Sequence, residues 1–162
     1  MPACSQDVQH EAEVAVLIGR TIRDADIATA KGVIKGWTIL NDVTARDLQR
    51  ADGGRFTRAK GFDTFCPMSD ECLENLDWRT LRIQCVVNGQ VRQDGALTDL
   101  TFEPAELVSK VSETMTLMPG DVVSLGTPAG VGSIWPGDVV QIRLVDLTGQ
   151  VLLRLTNPVE DA

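Results

Sequence analysis

Two acids open an apolar stretch. In HEAEVAVLIGR (10–20), Glu11 and Glu13 stand two apart, and Val14 to Ile18 follow without a charge. On a strand, residues i and i+2 face the same way, roughly 6.6 Å apart along the chain. Two carboxylates so placed repel each other, and burying either is costly. A divalent cation between them removes both problems, and hard cations such as Mg2+ and Ca2+ favour carboxylate oxygens and water. A third acid, Asp42, follows Asn41 at the end of the next apolar run, GWTIL (36–40). If the two runs lie side by side, Asp42 completes a three-carboxylate cradle with positions left for water and substrate. The alternative is an edge strand with a wet face near its start.

Other residues offer weaker chemistry. Lys60 sits among Arg58, Phe62 and Phe65 in RAKGFDTF (58–65). It is placed either to hold a substrate carboxylate or assist proton transfer, or as an ordinary surface lysine. GTPAGVG (126–132) reads as a loop whose backbone N–H groups could face a small anion, or as a plain tight turn. No Lys-Ser/Thr follows it, so it is not a P-loop. His10 is the only histidine, and on a strand it faces away from Glu11. One such histidine builds no Ser-His-Asp or Cys-His arrangement. Cys4, Cys66, Cys72 and Cys85 form no CxxC pair and read as free thiols.

The elements that must position these residues are mostly strands. The patterns predict strands over 12–19 and 33–43, the second with a glycine that marks a bulge or a close approach. A short helix is expected over 23–32, capped by Asp24 and ended by Gly32, and another over 44–53. Residues 55–70 read as loop. A hairpin over 79–95 turns at Asn88-Gly89. An amphipathic helix follows over 103–115, then a strand over 122–128, a turn and strand over 135–147, and a last hairpin strand over 148–157. The two Pro-Gly-Asp copies, 119–121 and 136–138, are turn chemistry. The expected class is a β-rich mixed α+β fold.

Length and charge narrow the partners. A chain of 162 residues favours one domain, 1–162. The net charge of −8 argues against nucleic acid and anionic membranes. The N-terminus lacks a signal-peptide pattern, and the longest apolar run, 14–18, is far too short to span a bilayer. A cytoplasmic protein is expected.

In combination, six segments resemble the fumarylacetoacetate hydrolase family: EAEVAVLIG (11–19), GWTILNDVTARDLQ (36–49), RAKGFDTFCPMSD (58–70), VNGQVRQDG (87–95), TLMPGDVVSLGTPAGVG (116–132) and PGDVVQI (136–142). The resemblance implies that Glu11, Glu13 and Asp42 hold Mg2+, with Mn2+ or Ca2+ as substitutes. It implies that Lys60 lies near the substrate as a catalytic residue, and that Gln49 and Thr127 bind substrate. Arg46 matches the ARDLQ segment without an assigned role. The implied fold is a β-roll of mixed sheets with a few short helices, and the implied assembly is a homodimer. The implied reactions are hydrolysis, decarboxylation or isomerisation of small 2-oxo and β-dicarbonyl acids. The family also carries an N-terminal lid with a His and a Glu, and this chain starts ten residues before Glu11 without that element. A natural short member, a fragment, or one part of a larger assembly would each account for this. Metal binding is expected in all three. The non-catalytic alternative is a subunit that binds metal or oxo-acid without turnover.

Overall fold

A computed structural model describes residues 1–161, so Ala162 lies outside the described residues. Period-two burial organises the strands. Strand β2 (Ala12–Ile18) runs antiparallel between β3 (Ile34–Asn41) and β7 (Val122–Ser124). Its even positions Val14, Val16 and Ile18 enter the hydrophobic core, which leaves the odd positions, and with them Glu13, on the other face. A slip of one residue would exchange the two sets, so the apolar pattern fixes where the acids point.

The core is shared with a four-stranded antiparallel sheet built from β5 (Leu81–Val87), β6 (Gln90–Ala96), β9 (Val139–Asp146) and β10 (Val151–Pro158), in the order β10-β9-β5-β6. Leu81, Ile83 and Cys85 of β5 and Val140, Ile142 and Leu144 of β9 are buried at alternate positions. The two sheets touch through β2 with β5 and β3 with β9. A third small sheet joins β1 (Val8–His10) to β4 (Thr44–Ala45) on one side and β8 (Gly132–Ser133) on the other. The class is β-rich with short helices, as expected, and every strand pairing among the described residues is antiparallel.

Several local readings hold. Asn88 and Gly89 adopt φ of 50° and 80°, the left-handed pair of a primed hairpin turn. In both Pro-Gly-Asp turns the Asp carboxylate accepts a backbone N–H, from Met118 at 2.7 Å and from Trp135 at 2.8 Å. Helix α4 (Pro104–Thr114) fits the amphipathic segment. Gly36 lies beside a register shift in the β2–β3 ladder and packs against Cys72 and Leu73, so it serves both purposes a strand glycine suggests.

Others are corrected. The first helix, α1 (Ile27–Lys31), is capped by Asp26, which accepts the Thr29 N–H at 2.7 Å. Asp24 instead takes a left-handed turn at φ 46°. The segment read as helix over 44–53 is divided between β4 and α2 (Arg46–Ala51). The segment read as loop contains one helical turn, α3 (Thr57–Lys60), too short to display a periodicity. The strand expected over 122–128 ends at Ser124, where Gly126 at φ 97° and Pro128 turn the chain into a loop. Among the described residues no helix is long and apolar enough to cross a membrane.

That loop is seated on β6. A Cβ added at Gly95 would stand 2.5 Å from Cβ of Pro128, a rigid ring that cannot rotate away. Gly95→Ala is expected to cost about 1–3 kcal/mol by overpacking, read as a lower urea midpoint. An unchanged midpoint would show that the Pro128 loop is not held against this strand.

Candidate metal and substrate site

Glu11 occupies the single-residue break between β1 and β2, Glu13 is the second residue of β2, and Asp42 directly follows β3. The ladder sets Ala12 opposite Asn41. The Asp42 N–H donates to the Glu11 carbonyl, and the Glu11 N–H donates to Asn41 Oδ1, each at 2.9 Å. Strand register therefore brings the three acids together. One oxygen from each carboxylate lies within 4.8 Å of the others. Around a hard cation, opposed ligand oxygens stand about 4–5 Å apart, so spacing and donor chemistry both suit a group of the Mg2+ or Ca2+ kind.

The charges around the cradle are unequal. Lys60, at the end of α3, bridges two of the acids: Nζ donates to Glu11 Oε2 at 2.9 Å and also to Asp42. Its Nζ lies 5.3 Å from the centre of the Phe56 ring. Burial pulls the Lys60 pKa down, but the bonds and charges of Asp42 and Glu11 outweigh it and hold the pKa above the ordinary value. The ammonium is therefore kept protonated. Arg46, at the start of α2, donates from Nη2 to Glu11, from Nε to Gln9 Oε1 at 3.0 Å and from Nη1 to Gln49 Oε1 at 2.6 Å. Among the described residues Glu13 forms no salt bridge, and Lys60 acts on it only at a distance. This glutamate is 5% exposed, and among the described residues its carboxylate accepts only the Ser124 hydroxyl. Burial pushes its pKa up, and the Asp42 and Glu11 charges push the same way, against the Ser124 bond and the Lys60 charge.

Glu11, Glu13, Asp42 and Lys60 thus form one cluster, with Gln49 attached through Arg46. Thr127 is attached through the strand: its hydroxyl donates to the carbonyl of Ala12, the residue between the two glutamates, at 2.9 Å. Among the described residues, no protein acceptor takes the backbone N–H of Gly126, Thr127 or Ala129 in the loop read as an anion site. His10 lies outside the cluster. It is buried, and Nδ1 donates to Gln93 Oε1 at 2.9 Å. Burial lowers its pKa, consistent with a neutral ring. All four cysteines are free, and burial raises Cys85 to about 12.

Sequence reasoning missed Arg46 as an organiser, Ser124 as the partner of Glu13, and Gln93. Arg46 had a readable signal, since it stands three before Gln49 on a helix, where side chains meet. A cavity of about 560 Å3 beside the cradle is bordered by Asn41, Val43, Phe62 and Phe65. Another of about 430 Å3 is bordered by Thr127, Pro128, Leu125 and Ile83. The three carboxylates line neither.

Comparison with known proteins extends this geometry. The family model for the C-terminal region of fumarylacetoacetate hydrolase matches residues 1–160. A mitochondrial oxaloacetate decarboxylase of Dictyostelium discoideum is 34% identical over 166 residues, covering 97% of this chain and 76% of that protein. A mitochondrial oxaloacetate tautomerase of Homo sapiens is 37% identical over 158 residues, covering 91% of this chain and 50% of that protein. The crystal structure of a 5-carboxymethyl-2-hydroxymuconate delta-isomerase from Mycobacterium smegmatis superposes with a TM-score of 0.91 at 46% identity, covering 99% of this chain and 61% of that one. The chain spans 57% to 60% of the length of three further curated relatives, which are 43% to 47% identical to it.

Glu13 carries a testable pH dependence. Its folded pKa lies above the ordinary 4.5, so the folded protein holds this proton more tightly than the unfolded chain. The stability contributed by this group is present at low pH and is lost as pH rises from 4.5 through the folded value. Glu13→Gln removes that loss. In EDTA, the advantage of the variant over the parent in urea unfolding should grow from pH 4.5 toward neutral pH. A difference that does not change with pH would show that the carboxyl ionises as easily folded as unfolded.

Proposed function

The chain belongs to the fumarylacetoacetate hydrolase family, and from that premise we propose that it forms the cation-binding, catalytic part of an enzyme acting on a small 2-oxo dicarboxylate of the oxaloacetate kind. The proposed chemistry is keto–enol tautomerisation or decarboxylation, both of which pass through an enolate of the 2-oxo acid. The observation that carries this reading is the meeting of Glu11, Glu13 and Asp42, with one oxygen of each within 4.8 Å of the others. The relatives named for oxaloacetate support the substrate class.

Glu11, Glu13 and Asp42 would hold a divalent cation, Mg2+ with Mn2+ or Ca2+ as substitutes, and when bound it supplies positive charge that polarises the 2-oxo group and stabilises an enolate. Lys60, protonated between two carboxylates, suits holding a substrate carboxylate or returning a proton to the enolate, and it does not suit abstracting one. Arg46 fixes the Glu11 carboxylate and turns the Gln49 amide by occupying its oxygen, which leaves the NH2 group for a ligand. The Thr127 hydroxyl proton is already used by Ala12, so anchoring of a substrate carboxylate at this loop falls to the backbone N–H groups.

Oxaloacetate with Mg2+, followed by enol absorbance with EDTA as control, tests the reading. Asp42→Asn should lose turnover by at least about 100-fold with an unchanged circular dichroism spectrum. Full Mg2+-dependent turnover in that variant would overturn the assignment. A parent protein that binds Mn2+ and oxo-acid without turnover would instead be a binding subunit.

A further inference from the structure

One buried amide ties the cradle to the loop. Gln93 of β6 is 1% exposed. Its Oε1 accepts the Ala12 N–H at 3.0 Å and the His10 Nδ1–H at 2.9 Å. Its Nε2 donates to Thr127 Oγ1 and to the Pro128 carbonyl, each at 2.8 Å. That uses the full donor and acceptor capacity of the amide. Because Thr127 donates in turn to the Ala12 carbonyl at 2.9 Å, a closed ring runs from the Ala12 N–H through Gln93 and Thr127 back to the Ala12 carbonyl.

The position of the ring explains its use. Strand β7 pairs with β2 only at Ala15, Val16 and Leu17, and Leu125 adds one bond to Val14. Beyond that point the N–H and C=O of Ala12 that face away from β3 meet no strand. Gln93 and Thr127 supply side-chain partners where a ladder would have supplied backbone ones. Ala12 is also the link between Glu11 and Glu13, so whatever fixes its peptide groups fixes the directions in which both glutamates leave the chain.

We infer that Gln93 is a positioning residue of this site: its amide sets the Glu11–Glu13 segment and the Thr127 loop in one register, so that cation cradle and carboxylate-binding loop are aligned by the same side chain. The functional part rests on the reading in the preceding subsection. The structural part does not, because the ring exists in the protein whatever it binds. An amide is required here. A carboxylate offers no donors to Thr127 and Pro128, and an apolar side chain leaves Ala12, Thr127 and His10 without a partner.

The experiment compares Gln93→Met, Thr127→Val, Thr127→Ser and the double variant Gln93→Met/Thr127→Val. In EDTA, hydrogen exchange at the Ala12 amide should quicken in Gln93→Met while core amides such as Ile142 keep parental rates. By calorimetry, Mn2+ affinity should fall about 10- to 100-fold, the usual cost of losing a group that orients a ligand. Thr127→Val should act in the same direction, and Thr127→Ser, which keeps the hydroxyl, should stay close to the parent. The double variant should bind Mn2+ no worse than the weaker single one, because both break the same ring. A folded Gln93→Met with parental Ala12 exchange, or with Mn2+ affinity within about twofold of the parent, overturns the inference. Faster exchange throughout the core with unchanged Mn2+ affinity also overturns it, since that is the mark of a merely structural residue. If Gln93→Met does not fold, Thr127→Val decides by the same two readouts. If the parent itself binds no Mn2+, the cation reading falls, and Ala12 exchange still decides whether Gln93 holds the segment.

Discussion

A carboxylate almost removed from water, with no cation of its own and two further acids beside it, is the constraint around which this protein is arranged. Glu13 is 5% exposed, and among the described residues its carboxylate accepts only the Ser124 hydroxyl. Both nearby cations, Lys60 and Arg46, are committed to Glu11 and Asp42. Three acids against two bases leave the cluster short of positive charge. Folding gains nothing from such an arrangement, since well-packed apolar side chains of similar volume are usually at least as stabilising as a buried set of charges. On the proposed reading the cluster is a receptor for a hard cation, where the repulsion that disfavours it would become the attraction that binds.

The alternation of β2 is what makes the constraint tolerable. Val14, Val16 and Ile18 are at most 2% exposed and bury their side chains in the core, each worth about 1.5–3 kcal/mol relative to exposure. That gain pins the register, and the register delivers Glu13 to the opposite face at no further cost in specificity. Asp42 needs no such force of its own. Once Ala12 lies opposite Asn41, the next residue must lie beside Glu11, and the bond from its N–H to the Glu11 carbonyl holds it there.

This logic also separates what could be read in the sequence from what could not. The face of the two glutamates follows from a period of two, and the partnership with Asp42 follows from one assumption, that two consecutive apolar runs are neighbours. Both are local facts extended by a single pairing. The Asn88-Gly89 hairpin was legible for the same reason, since the turn residues encode their own φ angles. Asp24 was the expected cap, whereas the helix is capped at Asp26, which accepts the Thr29 N–H, because the helix starts two residues later than the pattern suggested. The turn of helix ending in Lys60 has four residues, fewer than a periodic signal needs. Gln93 was illegible because its four partners come from two distant segments, 10–12 and 127–128, and nothing in VNGQVRQDG distinguishes it from a solvated glutamine. The resemblance to a known family supplied Gln49, but not the guanidinium of Arg46 that holds it.

The acids and the bases differ in how they are held, and the difference bears on how such a site works. Glu11, Glu13 and Asp42 leave from strands or directly from strand ends, where the β2–β3 ladder on one side and the bonds of Ala12 to Gln93 and Thr127 on the other fix the segment, so their backbone cannot shift without breaking those bonds. Lys60 leaves from a single helical turn stopped by Gly61, on a four-carbon stem, partly exposed. An isolated turn of this length has little stability of its own. The ammonium is therefore the adjustable member of the cluster. In the folded protein it supplies part of the charge the three acids require, bridging Glu11 and Asp42. On the proposed reading, once those oxygens have another cationic partner, Lys60 no longer gains from that bridge and its charge is free to meet the anionic substrate arriving at the same place. On that reading, rigid acids with a movable base would let one lysine bridge the acids before binding and serve the substrate after it.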